Sequence, residues 1–128
     1  MPITFTLDPE QRAIRTAIRG PVTFADVQAH VDALVAANAL GYPDLVDASA
    51  ATGPGLFSGD IGRLAQRMGS LRQDFTIGPR AIVVTSNAAY GMVRMLAVLA
   101  SAWVTLEVFR DRGQAEAWLR GFAGRPGA

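Results

Sequence analysis

Residues 78–87 read Gly-Pro-Arg-Ala-Ile-Val-Val-Thr-Ser-Asn and contain three structural signals in sequence. The Gly-Pro pair ends whatever element precedes it, because proline lacks a backbone donor and glycine favours turns. Residues 81–84 form an uninterrupted apolar run, which is typical of a strand covered on both faces. Ser86 or Asn87 then supplies the N-cap of a helix. A buried strand followed directly by a helix indicates an α/β sheet.

The segments before this stretch extend the same pattern. Residues 3–7 and 14–19 alternate apolar and polar side chains around a turn at 8–11, which predicts an antiparallel hairpin. Thr23, with Asp26 three residues later, predicts the start of a first helix. Leu45 and Val46 predict a short buried strand within 44–47, and residues 48–57 read as a loop. Ser58 is the N-cap expected for a second helix.

The segments after this stretch complete the pattern. A third helix has apolar residues on one face, a strand follows at 105–109, and Asp111 is the N-cap expected for a fourth helix. The order predicts an α/β fold: a mixed five-stranded sheet, made of an N-terminal hairpin plus parallel strands, flanked by about four helices. We expect one domain over residues 1–121 and a flexible tail at 122–128.

Composition excludes several classes of site. The chain of 128 residues has no cysteine and one histidine, which excludes disulfides, thiolate metal sites and multi-histidine metal sites. We therefore predict no cofactor. The net charge of +1 gives no reason to expect a nucleic-acid partner. Residues 1–8 lack the pattern of a signal peptide, and the uncharged apolar stretch 95–106 is too short to span a bilayer, so we expect a cytoplasmic protein with no integral membrane segment.

The carboxyl ends of the parallel strands are the predicted ligand-binding edge, because ligands of open α/β sheets bind there. Two helix N-termini also point their free N–H groups toward this edge and favour an anion. Serine and asparagine are ordinary N-caps as well, so a purely structural role stays open. The candidate ligand-binding residues are Asp47, Ser49, Ser86, Asn87 and Tyr90.

Catalytic residues are harder to find in this sequence. His30 lies at the border of the apolar stripe of the first helix, and Asp26 one turn earlier is its expected partner. A catalytic histidine needs a nucleophile and an orienting group, and neither is evident. Asp44 and Asp47 flank the short strand and are expected to point to different places. We expect Asp47 to accept backbone N–H bonds and orient a loop. We predict no catalytic residue.

The third helix is apolar on almost all sides, which indicates burial on more than one face. Another helix or a second subunit would cover it, and we predict a homodimer through residues 88–102. The helix would alternatively line an apolar pocket beside Met92, Met95 and Trp103. Tyr90 and Arg94 are one turn apart and predict a cation–π pair.

Several short segments, in order, resemble the bacterial SpoIIAA-like family, which is related to STAS domains and to CRAL-TRIO lipid-binding domains. The resemblance covers roughly residues 4–119. It is carried by Gly20-Pro21-Val22-Thr23-Phe24, Leu45-Val46-Asp47, Ala81-Ile82-Val83-Val84, Tyr90-Gly91-Met92, Arg94-Met95, Val108-Phe109-Arg110 and Glu116-Ala117-Trp118-Leu119. The resemblance implies a mixed sheet flanked by helices and does not imply an activity.

STAS anti-sigma-factor antagonists carry a phosphorylated serine at the start of the helix after the middle strand, and Ser58 is the nearest match. The acidic residue expected before that serine is replaced by Leu56 and Phe57. Three hypotheses follow. The leading one is a non-enzymatic SpoIIAA-like or STAS-like binding or regulatory module, whose ligand is a partner protein or a small apolar or anionic molecule. The alternatives are a carrier of a small molecule or lipid with an apolar cavity, and a phospho-switch at Ser58.

Overall fold

One mixed sheet of five strands organises the chain. The computed structural model describes residues 2–53, 56 and 58–122. The strands lie side by side in sequence order, with β1 antiparallel to β2 and every later pair parallel. The elements are β1 (Ile3–Asp8), β2 (Ala13–Pro21), α1 (Phe24–Ala36), β3 (Asp44–Thr52), α2 (Ser58–Arg72), β4 (Arg80–Val83), α3 (Asn87–Leu99), β5 (Leu106–Phe109) and α4 (Arg112–Arg120). The predicted order and fold class are confirmed.

The two faces of the sheet are covered unequally. Helices α1, α2 and α3 cover one face and bury the larger apolar cluster, which includes Ile14, Leu34 and Leu64. Of the elements that the structure describes, helix α4 covers the other face, over a smaller cluster that includes Leu45 and Val83. Because successive side chains of a strand point to opposite faces, alternate residues along each strand join opposite layers.

Side-chain caps begin three of the helices. The Thr23 hydroxyl accepts a hydrogen bond from the Asp26 N–H, and the Asp26 carboxylate accepts one from the Thr23 N–H. This capping box confirms the predicted start of α1. Ser86 Oγ accepts from the Ala89 N–H, and the Asp111 carboxylate accepts from the Gln114 N–H. Ser86, and not Asn87, is therefore the N-cap of α3.

The expected loop at 48–57 was wrong in its first half. Strand β3 continues to Thr52 and pairs in parallel with the end of β2, where Ala50 lies opposite Arg19. A register shift in this pair falls between Ala17 and Arg19. Small residues carry no alternating pattern, so the sequence gives no strand signal here, and backbone pairing with β2 extends the strand.

The apolar stripe expected on α3 divides between two surfaces. Leu96 is buried and Met92 is half-buried, because this side of the helix packs toward α2 and β5. Met95 and Trp103 are exposed, and so are Val98 and Leu99, whose exposed fractions are 69% and 47%. The residues that the structure describes therefore leave an apolar surface uncovered, which we call the outer face of α3. No helix within the described ranges is long and apolar enough to cross a bilayer.

Candidate functional site

A cavity of about 310 Å³ lies between the sheet and helices α1, α2 and α3. Side chains of all five strands contribute to it, and its wall is mainly aliphatic. Ile18 and Ile82 lie on inner strands, yet they are only half-buried. The apolar side chains of the wall include Ile3, Ile18, Val22, Val27, Val31, Leu34, Leu40, Val46, Leu56, Ile61, Leu64, Met68, Ile82, Val84, Met92, Val93, Leu96, Val104 and Leu106.

The exposed part of the lining lies where β3 and β4 end and α3 begins. Thr52, Gly53, Ser86 and Ala88 all line the cavity and are all exposed. Access from solvent is therefore at the carboxyl ends of these parallel strands, the edge at which ligands of α/β sheets bind. A wider depression of about 440 Å³ lies at the opposite edge, among loops around Asn38 and Asp74. Its lining mixes polar and apolar groups, so the cavity with the mainly apolar lining is the stronger candidate.

Three buried polar side chains interrupt the apolar wall. Thr16, Asp44 and Arg80 project from β2, β3 and β4 toward the cavity, with exposed fractions of 3%, 1% and 6%. The Thr16 hydroxyl donates to the carboxylate oxygens of Asp44, at 2.9 Å from Oδ1 and 3.2 Å from Oδ2. Burial raises the pKa of Asp44 to about 6, against the opposing effects of the Arg80 charge and the Thr16 hydrogen bond. We call this group the polar floor.

Arg80 holds the backbone at the beginning of the strands. Its guanidinium donates to the carbonyl oxygens of Tyr42 at 2.7 Å, Gly78 at 3.1 Å and Leu40 at 3.1 Å. A Cβ on Gly78 would lie 2.5 Å from the Gly41 carbonyl oxygen, so only glycine allows these two loops to approach so closely. Burial lowers the pKa of Arg80, and the Asp44 charge opposes that shift. The guanidinium is thus a structural clamp and a fixed charge beside the cavity.

His30 lies on α1 and lines the cavity from the side opposite the sheet. Its ring meets Phe5 edge-on, with centroids 5.5 Å apart. The expected pair with Asp26 was wrong, because the carboxylate of Asp26 is held by Thr23 in the capping box. Burial, and secondarily the charge of Arg80, lower the pKa of His30 to about 4, so the imidazole is neutral at physiological pH.

Two of the predicted ligand-binding residues face away from the cavity. The Ser49 N–H and hydroxyl donate to Asp47 Oδ1 at 3.0 and 2.6 Å, and Arg112 of α4 lies 3.7 Å from Asp47 Oδ2. These hydrogen bonds from Ser49 lower the pKa of Asp47. Asp47 accepts a backbone N–H as expected, but it lies within β3 beneath α4 and orients the strand there, not a loop.

Of the other three predicted residues, Ser86 lies at the cavity, whereas Asn87 and Tyr90 lie outside it. Ser86 lines the cavity while it caps α3. Asn87 Oδ1 accepts from the Arg110 guanidinium at 2.8 Å, and that guanidinium lies 4.4 Å from the centre of the Tyr90 ring. The expected cation–π pair between Tyr90 and Arg94 was wrong, because Arg110 occupies the ring face. The sheet edge thus brings only Ser86, among the five candidates, to the cavity.

Two predictions fall outside what the structure describes. Ser58 begins α2, but its side chain is not among the described groups, and phosphorylation there stays a prediction. The predicted tail at 122–128 lies outside the described residues beyond Phe122. Within the described ranges, no three histidine, aspartate or glutamate side chains are grouped as metal ligands.

The polar floor is the part of the site that sequence reasoning missed. Asp44 and Arg80 are each the first residue of a strand, and they are register partners across β3 and β4. A charged residue at the start of an apolar strand occurs at both places in the sequence, and this pattern is a signal for such a pair. The signal becomes informative only once the two strands are known to be neighbours in this register.

Comparison with known proteins supports the fold. No family model matches the sequence, and no curated protein is significantly similar to it. A crystal structure of an uncharacterised protein of the DUF3478 family from Shewanella loihica PV-4, described as having a SpoIIAA-like fold, superposes with a TM-score of 0.60. The two chains are 20% identical, and the match covers 91% of this chain and 93% of that one. This chain therefore has the SpoIIAA-like fold that the resemblance implies.

Proposed function

We propose that this chain is a non-enzymatic binding module that holds a small, largely apolar molecule in the cavity between the sheet and helices α1, α2 and α3. The cavity itself carries the proposal: it is lined mainly by aliphatic side chains and is reachable from the carboxyl edge of the sheet. Among the hypotheses for this sequence, the small-molecule carrier is the one that such an internal volume favours, because a folded partner protein does not enter it.

The size of the cavity supports this choice. Ligand pockets begin at roughly 300 Å³, and an engineered apolar cavity of about 150 Å³ already binds benzene. The cavity here is 310 Å³ and suits a molecule of about a dozen non-hydrogen atoms. The lining is apolar, and covering such surface with an apolar ligand is favourable by roughly 25 cal/mol for each Å² removed from water.

The polar groups of the cavity support binding rather than catalysis. The Thr16 hydroxyl donates to Asp44, so the imidazole of His30 does not activate it as a nucleophile. Three N–H groups of Arg80 are bonded to backbone carbonyls, so the guanidinium is fixed in a structural role. These side chains therefore orient a bound molecule without a nucleophile–base pair to transform it.

Native mass spectrometry with a matched variant tests this function. Ile82→Phe places an aromatic ring in the cavity, whereas Leu119→Phe makes a comparable change on α4, at the other face of the sheet. Wild type and the control should retain a co-purified apolar molecule, or bind added 1-octanol, and Ile82→Phe should lose at least tenfold in affinity. Equal binding by Ile82→Phe and wild type, or no binding by wild type, would refute the proposal.

The outer face of α3 favours a second, separate binding function. Met95, Val98 and Leu99 lie three and four positions apart on α3, so these exposed apolar side chains are neighbours on the helix surface, and Trp103 in the following turn is also exposed. Water contact with such a patch is unfavourable, and contiguous exposed apolar surface commonly marks an interface. We propose that a second copy of the chain covers it, which gives the homodimer through residues 88–102.

Light scattering at micromolar concentration tests the dimer. Wild type should have the mass of two chains, and Val98→Asp should have the mass of one because it buries an unpaired carboxylate in the interface. Arg112→Asp makes a charge change on α4, away from this face, and should stay dimeric. A monomeric wild type would contradict this proposal and leave the cavity proposal unaffected.

A further inference from the structure

The polar floor constrains what kind of molecule the cavity accepts. Thr16, Asp44 and Arg80 come from three adjacent strands, and they are the buried polar side chains of the described residues. All three project into a wall that is otherwise aliphatic. Because burying a charge is costly unless it is paired and hydrogen-bonded, the state of each partner here decides which ligand gains free energy.

Asp44 is incompletely hydrogen-bonded. Its two oxygens share the single hydroxyl hydrogen of Thr16, at 2.9 and 3.2 Å, although an ionised carboxylate has about four acceptor positions. No ion pair within 4.0 Å joins Asp44 to Arg80 in the part of the chain that the structure describes. A buried carboxylate with spare acceptor positions favours a ligand that donates a hydrogen bond.

The charges of the floor already balance. The guanidinium of Arg80 and the ionised carboxylate of Asp44 sum to zero, and the neutral imidazole of His30 adds no charge. Arg80 acts on both Asp44 and His30, so these groups lie in one electrostatic environment. A ligand ammonium or carboxylate would leave a net charge in this apolar volume, whereas a neutral group would not.

We infer that the cavity selects a neutral, hydroxyl-bearing apolar molecule, such as a medium-chain alcohol, whose hydroxyl group donates a hydrogen bond to Asp44 while its chain extends toward Ser86. This inference rests on the proposed function and adds the ligand class. A hydroxyl group supplies the missing donor without adding charge. The aliphatic wall between the floor and the open edge then contacts the alkyl chain.

Calorimetry at pH 7.5 with 1-octanol, octanoate and octylamine tests this selectivity on the wild-type chain. The three probes share the same alkyl chain and differ in the head group. We expect 1-octanol to bind at least tenfold more tightly than either charged probe. If octanoate or octylamine binds as tightly as 1-octanol, and Ile82→Phe abolishes all binding, the selectivity is refuted while the apolar cavity function stands. If none of the three binds, both are refuted.

A charge-removing variant tests the role of Asp44 directly. In Asp44→Asn the charge of Arg80 is no longer balanced, so octanoate should gain affinity while 1-octanol loses the charged acceptor. The ratio of the two affinities should therefore fall at least fivefold. Asp47→Asn is the matched control on the other face of the sheet and should leave the ratio unchanged. An unchanged ratio in a folded Asp44→Asn protein would overturn the inference.

Discussion

The opposite pKa shifts of Asp44 and His30 predict opposite effects of pH on stability. The pKa of Asp44 rises from 3.8 to about 6, so the fold prefers its protonated form. Its contribution to stability is fully present below pH 4 and is lost as the pH rises through 6. The pKa of His30 falls from 6.5 to about 4, so the fold prefers the neutral ring. That contribution is present above pH 6.5 and is lost as the pH falls through 4.

The relative sizes of the Asp44 and His30 contributions decide whether the free energy of unfolding rises or falls with pH. One pKa unit corresponds to 1.36 kcal/mol, so the shift of Asp44 is worth about 3 kcal/mol. The ring of His30 is partly accessible to solvent, which screens its charge, so we expect about 1–2 kcal/mol from it. The free energy of unfolding of the wild type should therefore fall by about 1–2 kcal/mol between pH 4 and pH 6.5.

Urea unfolding of Asp44→Asn across pH 4–7 tests this reasoning. The variant keeps only the contribution of His30, so its free energy of unfolding should rise by about 1–2 kcal/mol over the range in which the wild type falls. The difference between the two proteins should thus change by about 3 kcal/mol. Asp47→Asn, in which the removed carboxyl has a lowered pKa, should run parallel to the wild type from pH 5 to 7. Parallel curves for Asp44→Asn and wild type would refute the account of the polar floor.

Further substitutions test the packing and the caps. Val83→Phe overpacks the α4 face and should cost about 1–3 kcal/mol in urea unfolding, whereas Ile82→Phe fills the cavity and should cost less than about 0.5 kcal/mol. Equal losses would contradict a cavity on one face only. Arg80→Met removes the three hydrogen bonds that hold the carbonyl oxygens of Leu40, Tyr42 and Gly78, and should cost about 3–5 kcal/mol; a loss smaller than about 1 kcal/mol would exclude the clamp. Ser86→Ala removes the α3 N-cap and should cost about 1 kcal/mol, with 1-octanol affinity unchanged within about twofold. A larger drop in affinity would make Ser86 a ligand contact.

Local signals predict most of the fold of this chain. The alternation at 3–7 and 14–19, the break at Gly78-Pro79 and the caps Thr23 and Asp111 act within a few residues, so the sequence alone predicts them correctly. The extension of β3 to Thr52 depends instead on pairing with β2. That pairing is a long-range contact without a side-chain pattern.

The candidate site was less predictable because it depends on strand register and pleat. The sequence places Asp47 and Ser86 both after buried strands, yet Asp47 lies within β3 and faces α4, whereas Ser86 follows β4 and faces the cavity. The relation between Asp44 and Arg80 is recognisable only once β3 and β4 are known to be neighbours, because the charge of one residue then compensates that of the other. His30 was correctly placed at the edge of an apolar stripe. Its position on the cavity follows from how α1 lies against the sheet, which the sequence does not specify.

Nuclear Overhauser contacts between bound 1-octanol and the isotope-labelled protein test the central claim most directly. The account predicts contacts from the alkyl chain to the side chains of Leu64, Ile82 and Met92, which line the internal cavity. Contacts confined to Val98 and Leu99 on the outer face of α3, or the absence of any contact at saturating 1-octanol, would contradict it.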